Sequence, residues 1–281
     1  MMHLTASAYS FEVLPLEACL SIVKHMGFTS VDLSGFHARG RASIEPEAIT
    51  ADPQRHADHM KALLEHYELH CGDFFPQFGT SPDQHSLNDP NPAIREKNQA
   101  LIRGCAEFCK LLGIPGMTIL PGVDHLSRKH EENLEVSGAE LQRAAEIAGE
   151  YGVEIRFEPH MGSVAPTPEL AIRLVQEFAP DAKITLDCSH FILQYISMDR
   201  IYACIPHTGH VHIRPAREGK LQTRYVENTI PWTTVIDHLK HVNYQGALSI
   251  EYVCASWFDL DQCDTLYETW VTKEALQSFV R

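Results

Sequence analysis

The sequence predicts one α/β domain over residues 1–281, a single closed (β/α)8 TIM barrel, and three observations predict it. Eight short apolar or β-branched runs alternate with helical stretches, as repeated βα units of a parallel sheet require. No linker, fixed-period repeat or low-complexity tract interrupts them, which favours one closed barrel over modules joined in series. The last four runs each place an acidic or histidine side chain at or near their C-terminal ends, the rim where such barrels build their sites.

The strand candidates in order are His3 to Ala8, Thr29 to Leu33, Leu69 to Phe74, Gly116 to Leu120, Val153 to Glu158, Lys183 to Asp187, Gly209 to Ile213 and Ala247 to Glu251. Helices are expected near Leu16 to Met26, Asp52 to His66, Pro92 to Leu112, Asn133 to Tyr151, Pro168 to Phe178, Met198 to Ile205, Trp232 to Val242 and Thr265 to Phe279. Pro92 and Pro168 suit first helical turns, where the missing N–H costs nothing, and Thr167 suits an N-cap. Gly27, Gly113 and Gly152 stand where helices must stop before a strand. The helix from Met198 has the poorest pattern of the eight. Three long connections, Ser34 to Ala51, Phe75 to Asn91 and Arg214 to Pro231, emerge at the C-terminal rim and are candidate walls of a site.

Bulk properties exclude several classes. The 281 residues are 44% hydrophobic and 21% charged, a composition that fills a core and argues against disorder. A formal net charge of −14 repels polyanions, so neither nucleic acid nor an anionic membrane is an expected partner. The opening MMHLTASAYSF lacks a basic start and apolar run, no stretch of 18 apolar residues follows, and a cytoplasmic protein is expected. The eight cysteines show no CxxC pair or zinc-knuckle spacing and read as buried free thiols.

Chemistry concentrates at the ends of the last four strands. IRFEPH carries Glu158, ITLDCSH carries Asp187 with His190 beyond it, HVHIRPA carries His212, and LSIEY carries Glu251. Any one of them alone reads as a cap or a solvated charge. Four converging on one rim would instead repel one another or stay protonated without a cation. Three oxygen donors and one imidazole make a fairly hard ligand set, so one divalent ion is expected, Mn2+ first, with Mg2+, Co2+ or a high-coordinate Zn2+ as alternatives.

The segments FEPHMGS, LDCSHF, HVHIRPA and SIEYV, in that order on those strands, resemble the xylose isomerase-like barrel superfamily of sugar isomerases and epimerases, which also holds inosose dehydratases and endonuclease IV. The resemblance is sharpest from Val153 to Tyr252. It implies that Glu158, Asp187, His212 and Glu251 are the metal ligands and that His190 matches the histidine three residues after the aspartate. It further implies that Glu158 and Glu251 face opposite sides of a substrate. Family ketose epimerases carry another acidic residue shortly after the first metal glutamate, where this chain has Met161, Gly162, Ser163 and Val164.

Catalytic roles are therefore expected for Glu158, Glu251 and His190, whose imidazole suits proton shuttling near neutral pH. Strand alternation puts His160 on the face of Glu158, and Arg214 and His210 on that of His212, with His210 a layer deeper. Substrate contacts are expected from His160, Arg214, Arg217 and Trp257, with Phe74, Phe75, Phe78 and Phe258 as further stacking candidates. Arg217, Lys220 and Arg224 make the last long connection basic, which suits a substrate carboxylate or phosphate as well as it suits solvent.

The expected function is a metal-dependent sugar isomerase or epimerase that removes a proton α to a carbonyl through an enediolate. The alternative is a dehydratase or lyase expelling a β substituent from a keto-inositol or a 3-keto-glycoside. Hydrolysis at abasic DNA, for which His70 and Asp73 are the extra ligands available, fits the charge poorly, and a non-catalytic sugar-binding barrel would need no metal. The partner is a small sugar or cyclitol, with a homo-oligomer or a partner subunit left open.

Overall fold

Strand β1 (His3–Ser7) pairs in parallel with both β2 (Ser30–Phe36) and β8 (Ala247–Ile250), which closes the sheet on itself. Between them β3 (His70–Gln77), β4 (Gly116–Ile119), β5 (Glu154–Phe157), β6 (Lys183–Asp187) and β7 (Thr208–Ile213) follow in chain order, giving a closed eight-stranded barrel. The computed structural model describes residues 2–36 and 41–280. Residues 37–40 of the first long connection lie outside them.

The helices are α1 (Leu16–His25), α2 (Pro46–Ala51), α3 (Pro53–His66), α4 (Pro92–Leu112), α5 (His130–Gly149), α6 (Pro168–Arg173), α7 (Cys188–Ile192), α8 (Met198–Tyr202), α9 (Trp232–His241) and α10 (Thr265–Leu276). Their ends follow the local chemistry. Asn91 and Thr167 accept hydrogen bonds from the Ala93 and Leu170 amides in the first turns of α4 and α6 at 3.0 and 3.4 Å, and both helices begin on proline. Gly113 ends α4 in the left-handed region at φ 70°, where a side chain would be strained. The helix expected over Pro168 to Phe178 is α only as far as Arg173 and continues as a π turn over Leu174–Phe178.

Two differences from the sequence reading bear on the site. Strands β2 and β3 run on to Phe36 and Gln77, because Leu33 to Phe36 keep pairing with Phe74 to Gln77. Pro76 is tolerated there because it stands one residue from the strand end. The sixth βα connection is split into α7, which begins directly after Asp187, and α8; the helix expected from Met198 to Ile205 stops at Tyr202.

The apolar core lies between the barrel and its helices, with Leu20, Met60, Ile102, Phe108, Leu134, Leu174 and Leu239 closed off from solvent. The barrel interior is polar by comparison. Arg156 from β5 donates to Asp73 of β3 at 2.8 Å and to Glu154 at 2.9 Å, and Thr118 of β4 meets Thr185 of β6 at 2.7 Å. All eight cysteines are free and seven are buried. Among the described residues no helix is long and apolar enough to cross a membrane.

Candidate metal centre and active site

Four successive strands deliver four polar side chains to the barrel mouth. Glu158 follows β5, Asp187 ends β6, His212 lies within β7 and Glu251 follows β8, and a donor atom of each lies within 4.8 Å of those of the others. All four are buried. His212 Nδ1 lies 2.6 Å from Glu158 Oε1 and 3.5 Å from Glu251 Oε2. Asp187 Oδ1 accepts from the Ser189 backbone N–H at 2.9 Å, whereas its buried Oδ2 has no hydrogen-bond partner. An unmet buried carboxylate oxygen facing two glutamates and an imidazole is what a divalent cation would satisfy, so these residues fit such an ion.

Electrostatics say the same. Burial alone would lower the His212 pKa, but Glu251, Glu158 and Asp187 outweigh it and hold the imidazole up at about 10. Burial pushes the Glu158 carboxyl up despite His212, with Glu251 and Asp187 adding to the rise. Burial also works to raise Glu251, yet His212 and the hydrogen-bonded Arg214 keep it below the ordinary carboxylate range. The His212 proton and the Arg214 guanidinium therefore offset two of the three carboxylate charges and leave the cluster one negative charge in excess.

The other expected residues divide. His190 lines the cavity above the cluster, its Nε2 3.8 Å from Asp187 Oδ2 and 4.0 Å from Glu158 Oε2, and its Nδ1 has no hydrogen-bond partner. Burial, helped by Arg214, His160 and His212, holds its pKa well below 6.5, so it is a neutral imidazole rather than the group titrating near neutrality that the sequence suggested. His160 lines the same cavity. Its Nδ1–H donates to the Met161 carbonyl at 2.8 Å, which leaves Nε2 as an unpartnered acceptor.

Arg214 is buried and reaches the cluster, donating to Glu251 and lying 3.4 Å from Asp187 Oδ2. Arg217 does not reach it. That side chain is exposed, lies outside the cavity lining and turns back to the Glu218 carbonyl at 3.4 Å. The basic connection thus gives no anion site: Lys220 meets Gln262, and Arg224 pairs with Glu227 at 2.9 Å. Phe74 and Phe78 belong to the core, while Phe75, Trp257 and Phe258 line the cavity.

The cavity above the cluster measures about 480 Å3. Glu158, His160, His190, Arg214 and Glu251 form its polar floor, and Tyr9, Phe36, Phe75, Leu221 and Val253 one apolar side. Tyr9 and Phe36 meet edge to face at 4.6 Å, Phe36 and Phe75 at 5.2 Å, and Phe75 stacks 6.0 Å from the ring of His212. Sequence reasoning missed Tyr9 and Phe36, and also Gln77, whose buried Nε2 lines the cavity without a partner. Only the true length of β2 and β3 would have revealed the last two.

Below the floor, His210 Nε2 meets Asp32 Oδ2 at 2.8 Å, in the deeper layer expected for His210. Asp32 was detectable as the lone charge between Val31 and Leu33 in an apolar strand. His70 stands at the opposite end of β3, and Asp73 is engaged by Arg156, so the extra ligands considered for a DNA-cleaving site do not join this one.

Comparison with known proteins agrees with this architecture. The rhizopine catabolism protein MocC of Rhizobium meliloti is 26% identical over 145 residues, covering 44% of this chain and 44% of that protein, so the match spans under half the length of that relative. A D-psicose 3-epimerase of Clostridium cellulolyticum H10, solved with D-tagatose, superposes with a TM-score of 0.76 at 15% identity over 99% of both chains. The IolI protein solved with a zinc atom superposes with a TM-score of 0.73 at 17% identity, covering 99% of this chain and 98% of that one. At those identities the two structures speak to the fold. A family model described as a xylose isomerase-like TIM barrel matches residues 20–274, nearly the whole barrel, and the chain belongs to that family.

Proposed function

We propose that this protein is a divalent-metal-dependent isomerase or epimerase that removes and returns a proton α to the carbonyl of a small polyhydroxylated sugar. The observation that carries the reading is the buried set of Glu158, Asp187, His212 and Glu251, with an unmet Asp187 oxygen among them. The likeness in fold to a ketose epimerase and to a zinc-holding barrel supports it.

Glu158, Asp187, His212 and Glu251 would hold the ion, Mn2+ in our expectation, with Mg2+, Co2+ or Zn2+ suited to the same donors. When bound, it supplies Lewis acidity that polarises the substrate carbonyl. Glu158 and Glu251 come from strands on either side of β6 and β7, so a substrate lying over Asp187 and His212 has one carboxylate towards each face. One carboxylate takes the α proton and the other delivers a proton to the opposite face, or the same one returns it to the neighbouring carbon. Arg214, held by Glu251, adds positive charge where the enediolate oxygen develops. His190 Nδ1, His160 Nε2 and Gln77 Nε2 are unpartnered and line the cavity, which makes them the hydrogen-bonding groups for substrate hydroxyls. Tyr9, Phe36 and Phe75 exclude water from that side.

The test is deuterium incorporation from D2O into a panel of ketoses, keto-inositols and 3-keto-glycosides, with protein loaded with Mn2+, Mg2+ or Co2+. Exchange at the carbon next to the carbonyl, abolished by EDTA and restored by the metal, is the expected result. A metal-loaded protein that exchanges no proton with any member of the panel would refute the reading.

A further inference from the structure

The mouth of the cavity differs in chemistry from its floor. Trp257 and Phe258 stand at the mouth, 45% and 51% exposed, with ring centroids 5.9 Å apart at an interplanar angle of 85°. They are not loosely held. Phe258 and Asp259 both adopt positive φ, 53° and 55°, a conformation that bulky residues take only when the surroundings impose it.

Gln222 supplies that constraint. Its side chain, fully buried, donates to the Val253 and Leu260 carbonyls at 2.9 and 2.8 Å and accepts from the Val253 N–H at 2.8 Å. The Asp261 N–H bonds the Ala255 carbonyl at 2.9 Å and closes the turn. Both ends of the segment carrying the aromatic pair are therefore pinned, and the strained backbone presents two apolar rings across the opening.

Among the described residues the mouth carries no lysine or arginine for a phosphate. Arg214 is the one lysine or arginine among the described residues lining the cavity, and it is committed to Glu251 and Asp187 on the floor. The acidic group lining the mouth, Asp83, would repel a phosphate.

We infer that the substrate is a keto sugar bearing an apolar, preferably aromatic, substituent, with the sugar on the polar floor and the substituent held by Trp257 and Phe258. The inference rests on the proposed function for the floor. Stacking and apolar burial at the mouth then add affinity that a bare sugar cannot obtain.

The test needs no turnover. Dissociation constants of phenyl and methyl β-D-glucopyranoside are measured by titration calorimetry on the Mn2+-loaded full chain, for wild type, Trp257→Ala, Phe258→Ala and the double variant. Wild type is expected to prefer the phenyl glycoside by roughly tenfold, and the double variant by under about threefold. Trp257→Phe should keep most of the preference. A wild-type ratio near one, no binding of the phenyl glycoside, or a ratio that survives the double substitution overturns the inference. Proton exchange into ketoses reads the floor separately: exchange without an aryl preference removes this inference alone, and an aryl preference without exchange removes the proposed reaction alone.

Discussion

Metal binding at the Glu158–Asp187–His212–Glu251 cluster should release close to one proton and strengthen with pH. In the metal-free protein three carboxylates hold the His212 imidazole at a pKa of about 10, so it is protonated throughout the neutral range. A histidine ligates only as the neutral ring, hence an incoming cation must displace that proton. The cost of deprotonation falls by about 1.4 kcal/mol per pH unit, which makes the apparent association constant rise about tenfold per unit between pH 6.5 and 8.5. Burial also pushes the Glu158 carboxyl up, so any proton it keeps adds to the slope at the acid end.

The sign for folding is opposite. The His212 pKa is raised from 6.5 to about 10, so its contribution to the stability of the metal-free protein is fully present below about 6.5 and is lost as pH rises through about 10. Calorimetric titration of Mn2+ in two buffers of different ionisation enthalpy measures the protons released directly. A proton count of zero at pH 7.5, or an affinity flat from pH 6.5 to 8.5, would refute the argument. His212→Gln should lower affinity and flatten the slope above neutral pH, because the amide carries no proton to displace.

Three further outcomes follow from the same geometry. Glu251→Gln and Glu158→Gln should each lower α-proton exchange by about 10²–10⁴-fold, with metal content measured alongside to separate lost ligation from lost proton transfer. Asp73→Asn leaves the buried Arg156 guanidinium, 8% exposed, with Glu154 as its remaining carboxylate partner, and urea unfolding should show a loss of about 1.5–3 kcal/mol. Gly116→Ala would bring a Cβ within 2.3 Å of the same guanidinium carbon, and a lower thermal midpoint, equivalent to about 1–3 kcal/mol, is expected.

How much of this was legible in the sequence depends on which half of the barrel is considered. From Val153 onward each strand is short and alternates apolar with polar residues, and a carboxylate or imidazole stands at or near its end, so its period and its end were both visible. That sufficed to bring Glu158, Asp187, His212 and Glu251 to one place before any coordinates. In the first half the strand ends were hidden. Gly35 and Pro76 look like loop residues, yet they lie opposite each other in a continuing β2–β3 ladder, and this extension carries Phe36 and Gln77 to the cavity. Arg217 was misplaced for a complementary reason: beyond the end of a strand alternation no longer fixes direction, and a charge there turns to solvent unless something holds it. Arg214, three residues earlier, sits one residue past the end of β7, still follows the alternation of that strand, and is held by Glu251.

The depth of each polar group separates the layer that serves the fold from the layer suited to an ion. Beneath the rim, Asp32 pairs with His210 and Asp73 with Arg156, so acids in the interior meet a partner from a different strand. The rim set differs in its charge balance: three carboxylates share one imidazole and one guanidinium. A layer that only had to fold would be satisfied more cheaply by apolar side chains of the same volume. The paired layer below fixes the strands from which the rim residues project, and the incompletely neutralised layer above is held open to the cavity, where a cation and substrate oxygens can complete it.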